Sequence, residues 1–390
     1  MSGSGAPEGA GPPLGGAAAA ATADPAALGF RMPAEWEPHE RTWMGWPQRP
    51  DNWRDNASHA QRAFVDVATA ISQFEPVTIC ANQEQVAAAR EALPPHISVV
   101  CIPQDDAWFR DTGPTFVVKE EPGGGRAVAG VDWQFNAWGG LEGGLYASWE
   151  RDSGVAGTIL QMEGTQRFPC PIVMEGGSIH VDGQGTLLTT EECLLNHNRN
   201  PELSREQIEG WLRRMLGVQK IIWLPKGLVG DDDTNGHIDN FACFAAPGVV
   251  LLAWTDDESD PQHAISKEAF QILSGTTDAQ GRKLQVVKLP LPPPLHIIEH
   301  EAAGVQVLDG SKPRVAGERM AASYANCYVC NGGVVVPAFG GEAAEADARA
   351  VEVLQAAFPG RKVVSVQSRE ILLGGGNIHC ITQQQPKGAA

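Results

Sequence analysis

The 390-residue chain has no apolar run approaching the ~20 residues that a helical bilayer crossing requires, and its longest are strand-sized stretches such as Gly248–Trp254. A membrane span is therefore not expected. Basic residues are few, 29 against 47 acidic, and the formal charge is −18. Such a surface repels phosphate backbones and anionic lipid and favours approach of small cations, so neither nucleic acid nor membrane is an expected partner. Acidity of this kind also serves solubility alone. Eight cysteines scattered over the whole chain are too sparse for a disulfide scaffold and point to a reducing compartment, here read as cytoplasmic. Cys327 and Cys330 form the one C-x-x-C, within a strand-like stretch where residues three apart face opposite sides, so both read as packing residues. Several motifs are missing as well. There is no H-E-x-x-H and no twelve-residue calcium loop with its closing Glu, so a metal is not expected; G-x-S-x-G and the P-loop are absent too.

Residues 1–29 are almost entirely Gly, Ala, Pro and Ser, too poor in large apolar side chains to offset the entropy of ordering, and read as a disordered tail. The first arginine is Arg31, an argument against a transit or secretory leader. Residues 30–386 then read as one catalytic domain, with 387–390 a short C-terminal tail.

Within that domain helices and strands alternate. Ala60, Phe64, Val67, Ala68 and Ile71 recur at helical spacing over Asn56–Phe74; Pro76 ends that helix, and Val77–Cys80 reads as a buried strand. A helix over Gln83–Leu93 and a strand over Ile97–Ile102 follow. Gly183-Gln184-Gly185 links two strands as a hairpin, Ser204 caps a helix running to Leu216, and a strand over Ile221–Leu224 comes next. Further helices are expected over His263–Leu273 and Glu342–Phe358. Hairpins mixed with strand–helix–strand units make this an α/β or α+β sheet protein.

Three segments echo one another: Glu175-Gly-Gly-Ser-Ile-His180, Asn235-Gly-His-Ile-Asp239 and Gly374-Gly-Gly-Asn-Ile-His-Cys380. Each is a glycine-bearing turn that delivers polar side chains onto the start of a strand, a hint of repetition around a shared centre. Gly374–Gly376 suits a turn built to present Cys380, whose bland alternative is a buried strand cysteine. His237 and Asp239, two apart, are expected on one face of a strand. Glu175 reads as a loop carboxylate, and Asp105–Pro114 mixes acids, aromatics and an arginine with a turn. Taken singly, these are ordinary core or surface features, and His180-x-Asp182, His237-x-Asp239 and Asp231–Asp233 could also supply metal ligands.

Taken together, six ordered motifs resemble the agmatine deiminases. They are Met32–His39, Gly45-Trp46-Pro47, Trp108–Pro114, Glu175–His180, Asp233–Asn240 and Gly375–Cys380, and the match runs from about Arg31 to Pro386. The stretch Cys380–Pro386 is most similar to the plant and algal branch. The resemblance implies the pentein fold, a single-domain five-bladed α/β propeller of ββαβ-type repeats with the site in its central channel. It also implies roles: Cys380 as nucleophile, His237 as acid/base, Asp111 and Asp239 as clamps on the guanidinium, Glu175 beside the histidine, and Trp108 and Asp233 lining the pocket. Neither cofactor nor metal is expected. The substrate would be agmatine, hydrolysed to N-carbamoylputrescine and ammonia as a step toward putrescine; the alternative is an arginine or peptidyl-arginine deiminase of the same fold. A homodimer is the expected assembly, because symmetric dimers are commonest.

The chemistry accounts for these residue types. A guanidinium is planar and resonance-stabilised, and carboxylates on its edges hold it by charge-assisted hydrogen bonds worth ~1.5–3 kcal/mol each. A thiolate can then add to its carbon, and a histidine can protonate departing ammonia and afterwards activate water.

Overall fold

The computed structural model describes residues 24–388. Of the expected tail, residues 1–23 lie outside the described residues. Residues 24–29 are ordered, contrary to expectation: Ala26–Leu28 forms a 3-10 turn, the Asp24 carboxylate accepts from Arg214 Nε at 2.7 Å, and the next residue, Phe30, is buried.

Sixteen strands form five small sheets. Four sheets repeat one plan, in which two strands pair antiparallel, a helix crosses, and a third strand pairs parallel with the second. They comprise β4 (Thr115–Glu120), β5 (Arg126–Gln134) and β6 (Gln166–Val173); β7 (Ile179–Val181), β8 (Thr186–Thr190) and β9 (Lys220–Leu224); β10 (Ala242–Ala246), β11 (Val249–Trp254) and β12 (Gln285–Pro290); and β13 (Tyr328–Cys330), β14 (Gly333–Ala338) and β15 (Lys362–Gln367). The crossing helices are Val155–Met162, Arg205–Leu216, Pro261–Ser274 and Ala344–Ala357. In the remaining sheet β1 (His39–Gly45) pairs antiparallel with β16 (Thr382–Pro386), the last strand of the chain. Helix Ser58–Ile71 then leads to β2 (Val77–Ala81), with β3 (Ser98–Cys101) at the edge. The chain's end thus completes the sheet that its beginning starts, and the ring of five blades closes.

Local chemistry sets the helix ends. Ser204 and Gln207 make a reciprocal capping box, and Asp260 caps a helix that opens on Pro261. Ala60, Phe64, Val67, Ala68 and Ile71, the apolar face read from the sequence, are all buried.

The core is divided among the blades. Five apolar clusters fill the five gaps between neighbours, for example Trp43, Phe116 and Ile159 between the first and second blades, and Leu251, Val334 and Leu354 between the fourth and fifth. Each blade thus packs its strands against its own crossing helix and buries further apolar surface against its neighbours. Cys327 and Cys330 belong to different clusters, as their spacing implies. The first strands of the blades approach one another at the centre, where β16 lies against β4 and β7 against β10.

Candidate active site

Five short segments reach this centre, each just ahead of a blade's first strand. A helical turn Phe109–Thr112 precedes β4, Gly176–Ser178 precedes β7, Ile238–Asn240 precedes β10, Ser323–Cys327 precedes β13, and Gly374–Ile381 precedes β16. The three echoed turns are thus members of a set of five. Contrary to expectation, His237 and Asp239 do not lie on a strand: His237 caps a 3-10 turn, Ile238–Asn240, that contains Asp239. Asp231 imposes that shape, accepting from the His237 backbone N–H at 2.9 Å and from Asn240 Nδ2 at 3.0 Å.

Glycine makes the convergence possible. A Cβ on Gly177 would lie 2.5 Å from His237 Nδ1 and 2.9 Å from both Asp111 Oδ1 and Asp239 Oδ2, and one on Gly376 would lie 3.0 Å from Cys380 Sγ and 2.7 Å from Trp108. Cys380, His237, Asp111, Asp239 and Glu175 are all buried. A small cavity reaches two of them, Asp111 and Cys380, and is lined besides by Trp108, Trp138, Leu145 and Asp233. Of the residues singled out in the sequence, His180 and Asp182 lie elsewhere in function: His180 joins an ion-pair chain, and Asp182 Oδ1 accepts from Gln184 and Thr186 N–H in the hairpin.

Each carboxylate is held by a fixed partner. Asp111 Oδ1 accepts from Gly177 N–H and its Oδ2 from Trp138 Nε1, both at 2.8 Å. Asp239 Oδ2 accepts from His379 Nδ1 at 2.9 Å, and His379 Nε2 reaches Glu35 Oε1 at 2.7 Å, leaving Asp239 Oδ1 buried without a partner. Glu175 Oε1 accepts from Arg199 Nε at 2.7 Å, and its unpartnered Oε2 lies 3.6 Å from His237 Nε2. Trp108 donates to Asp106 at 2.9 Å and stacks on Trp53. Asp233 is paired with Lys312 and Arg314.

Protonation follows from these neighbours. Burial is the largest influence on Asp111 and, with Asp239 and Glu175 nearby and against His237, pushes its pKa up to about 6. For Asp239 and Glu175 burial again works hardest for the neutral form, but His379 and Arg199 respectively outweigh it and hold both below the usual carboxylate range. Burial opposes charge on His237, yet Asp111 foremost, with Cys193 and Glu175, keeps its pKa well above the ordinary histidine value. The Cys380 thiol is pushed well up, by burial first and then by Asp239 and Asp111; Asn326, whose Nδ2 lies 3.0 Å from Sγ, works the other way. The site thus sets a buried thiol against the carboxylates of Asp239 and Asp111, with the His237 ring beside Asp111 and Glu175, surroundings that favour a cation.

Two groupings have metal-like spacing, Glu35–His180–His379 and Glu175–Cys193–His237. In both the carboxylate charge is already met, by His379 and Arg110 in one and by Arg199 in the other, so each reads as an ion-pair network. Sequence reading missed His379, Glu35, Arg199, Trp138 and Asn326. Glu35 and His379 stood inside quoted motifs, and Asn326 ended the fifth, unrecognised turn; Arg199 and Trp138 carried no local signal.

Comparison with known proteins agrees with this architecture. The family model described as Porphyromonas-type peptidyl-arginine deiminase matches residues 31–386. The agmatine deiminase of Medicago truncatula is 57% identical, covering 92% of this chain and 96% of its own, and that of Stutzerimonas stutzeri is 58% identical, covering 94% and 98%. These near-equal identities do not single out the plant branch suggested by Cys380–Pro386. The solved agmatine deiminase of Enterococcus faecalis superposes with a TM-score of 0.90 at 46% identity, covering 94% of this chain and 98% of that one. This chain, a ring of five ββαβ blades in the pentein manner, belongs to the family of Porphyromonas-type peptidyl-arginine deiminases and agmatine deiminases.

Proposed function

We propose that this chain hydrolyses agmatine to N-carbamoylputrescine and ammonia through a covalent intermediate on Cys380. The observation that carries the reading is the meeting of one thiol, one imidazole and the carboxylates of Asp111, Asp239 and Glu175 around Gly177 and Gly376. Relatives named agmatine deiminase at 57–58% identity over nearly the whole chain support the substrate.

In this reading the guanidinium lies between Asp111 and Asp239, whose free Oδ1 takes one edge. Its positive charge relieves the anionic surroundings of Cys380, and the thiol releases its proton to solvent as the substrate enters. Sγ adds to the guanidinium carbon; the His237 imidazolium protonates one amino group, the C–N bond breaks, and ammonia leaves a thiouronium on sulfur. His237, now neutral, takes a proton from water as its oxygen adds to the same carbon. The C–S bond then breaks and the added hydroxyl loses its remaining proton, which matches the one that ammonia takes up to leave as ammonium; the thiolate and the ureido product result. Glu175, held ionised by Arg199, stabilises the charged form of His237 that both half-reactions pass through.

Incubation with agmatine, and separately with arginine, distinguishes the family's substrates: ammonia and N-carbamoylputrescine from agmatine support the reading, and equal turnover of arginine contradicts it. A homodimer and a cytoplasmic setting belong to the same proposal. The first rests on the frequency of symmetric dimers, with sedimentation velocity as its test; the second is supported by eight free cysteines. Among the described residues no helix is long and apolar enough to cross a membrane.

A further inference from the structure

Asp233 stands on the wall of the catalytic cavity, and its carboxylate is already taken. Lys312 Nζ donates to Oδ1 at 2.7 Å and Arg314 Nη1 to Oδ2. Both cations belong to a rim segment, residues 304–319, that runs across the mouth. Gln306 N–H donates to Pro50 O at 2.8 Å and Lys312 N–H to Leu145 O at 3.2 Å, and Leu145 itself lines the cavity. Outside lies a second, larger cavity, bordered by Lys312, Arg314 and Arg319, which shares Asp233 and Gly375 with the catalytic one.

The two cations differ in kind. The Arg314 side chain is only 8% exposed, and its Nη2 donates to Asn52 Oδ1 at 2.8 Å and to Gly374 O, so it anchors the rim. Lys312 is 38% exposed, and among the described residues its ammonium bonds Asp233 alone. A lysine side chain is a butylammonium, the same group that agmatine carries beyond its guanidinium. The geometry points to Lys312 as an internal stand-in for the substrate: its ammonium sits on Asp233 in the subsite for a primary ammonium, and it swings into the outer cavity when the substrate's amine arrives. Arg314 keeps the rim in place meanwhile. This inference rests on the agmatine reading above and names its far-end subsite and the residue that competes for it.

Calorimetry in a Cys380→Ala background measures agmatine binding without turnover. Removing the competitor with Lys312→Met is expected to tighten binding about two- to five-fold, the range of a part-exposed ion pair. Asp233→Asn is expected to weaken binding, and Lys312→Met added to Asp233→Asn to give no gain, because nothing is left to compete for. Lys312→Arg, which keeps the cation, is expected to bind as the parent does, and Lys312→Gln stands in should the methionine variant not fold. Unchanged or weaker binding in Lys312→Met, or a gain that survives Asp233→Asn, overturns the inference. Agmatine turnover by the wild-type chain, run in parallel, tests the activity separately: its absence with the binding pattern intact overturns the activity alone.

Discussion

At the scale of single residues, each anion of the site depends on a buried neighbour that fixes one oxygen and its charge. Asp111 is the least protected, its cationic neighbour His237 standing off at 4.0 Å, and its pKa stands at about 6. Only its ionised form can hold a guanidinium edge, so kcat/KM is expected to fall as pH drops through about 6; a pH–rate profile flat down to 5 contradicts that assignment. Asp239 is secured differently, through His379 and Glu35. Burial and Arg110 disfavour charge on His379, but Glu35 and Asp239 raise its pKa to about 9. A raised folded-state pKa contributes stability that is fully present below the ordinary histidine value of about 6.5 and lost as pH rises through about 9. Thermal melts from pH 6.5 to 10 should show that loss in the wild type and a flatter curve in His379→Gln. The convergence of Cys380, His237, Glu175, Asp111 and Asp239 on one centre was legible because each sits in a short polar motif near a glycine. Arg199 and Trp138 were not, since nothing near them in the chain reveals a partner 24 or 27 residues away.

At the scale of elements, the site is built from turns, and the strands behind them supply rigidity. Helices announced themselves through apolar spacing and caps, so Ser58–Ile71 and Arg205–Leu216 matched expectation closely. β16 did not announce itself: Thr-Gln-Gln-Gln-Pro carries no apolar signal, yet all five residues are buried, with Gln385 accepting from Trp43 Nε1 at 2.9 Å. At the axis Gln383 donates to Pro114 O and Gln385 Nε2 to Glu163 Oε2 of the next blade, contacts that a hydropathy pattern does not register. Likewise, alternation suggested a strand for His237–Asp239 because it takes no account of the Asp231 side chain folding that loop onto itself. The turns tolerate little change. Gly177→Ala places a methyl group 2.5 Å from His237 Nδ1, and displacement of the imidazole by a fraction of an ångström or more should lower kcat about 100-fold. Gly210→Ala, mid-helix with nothing within 4 Å of the new Cβ, should instead stabilise the fold by about 0.5–1 kcal/mol with kcat unchanged. Steady-state assays and denaturant melts of the two variants together separate site geometry from general stability.

At the scale of the whole molecule, the ring explains why one centre collects residues spread from Glu35 to Cys380. Neighbouring blades share apolar clusters, and closure depends on β16 pairing with β1 along His39–Met44. Deleting residues 382–390 removes that pairing and the strand behind the nucleophile. A single cooperative melt is expected to be lost, and circular dichroism showing an unaltered transition contradicts closure as the source of stability. The acidic surface agrees with a cationic substrate but does not identify it, and the site's chemistry carries that burden. The central claim is a covalent bond between Cys380 and the guanidinium carbon. Acid-quenched intact-protein mass spectrometry during agmatine turnover tests it most directly. An adduct equal to agmatine less ammonia, mapped to Cys380 and missing in Cys380→Ser, is the predicted result; steady turnover in Cys380→Ser, or an adduct mapped to another cysteine, contradicts the account.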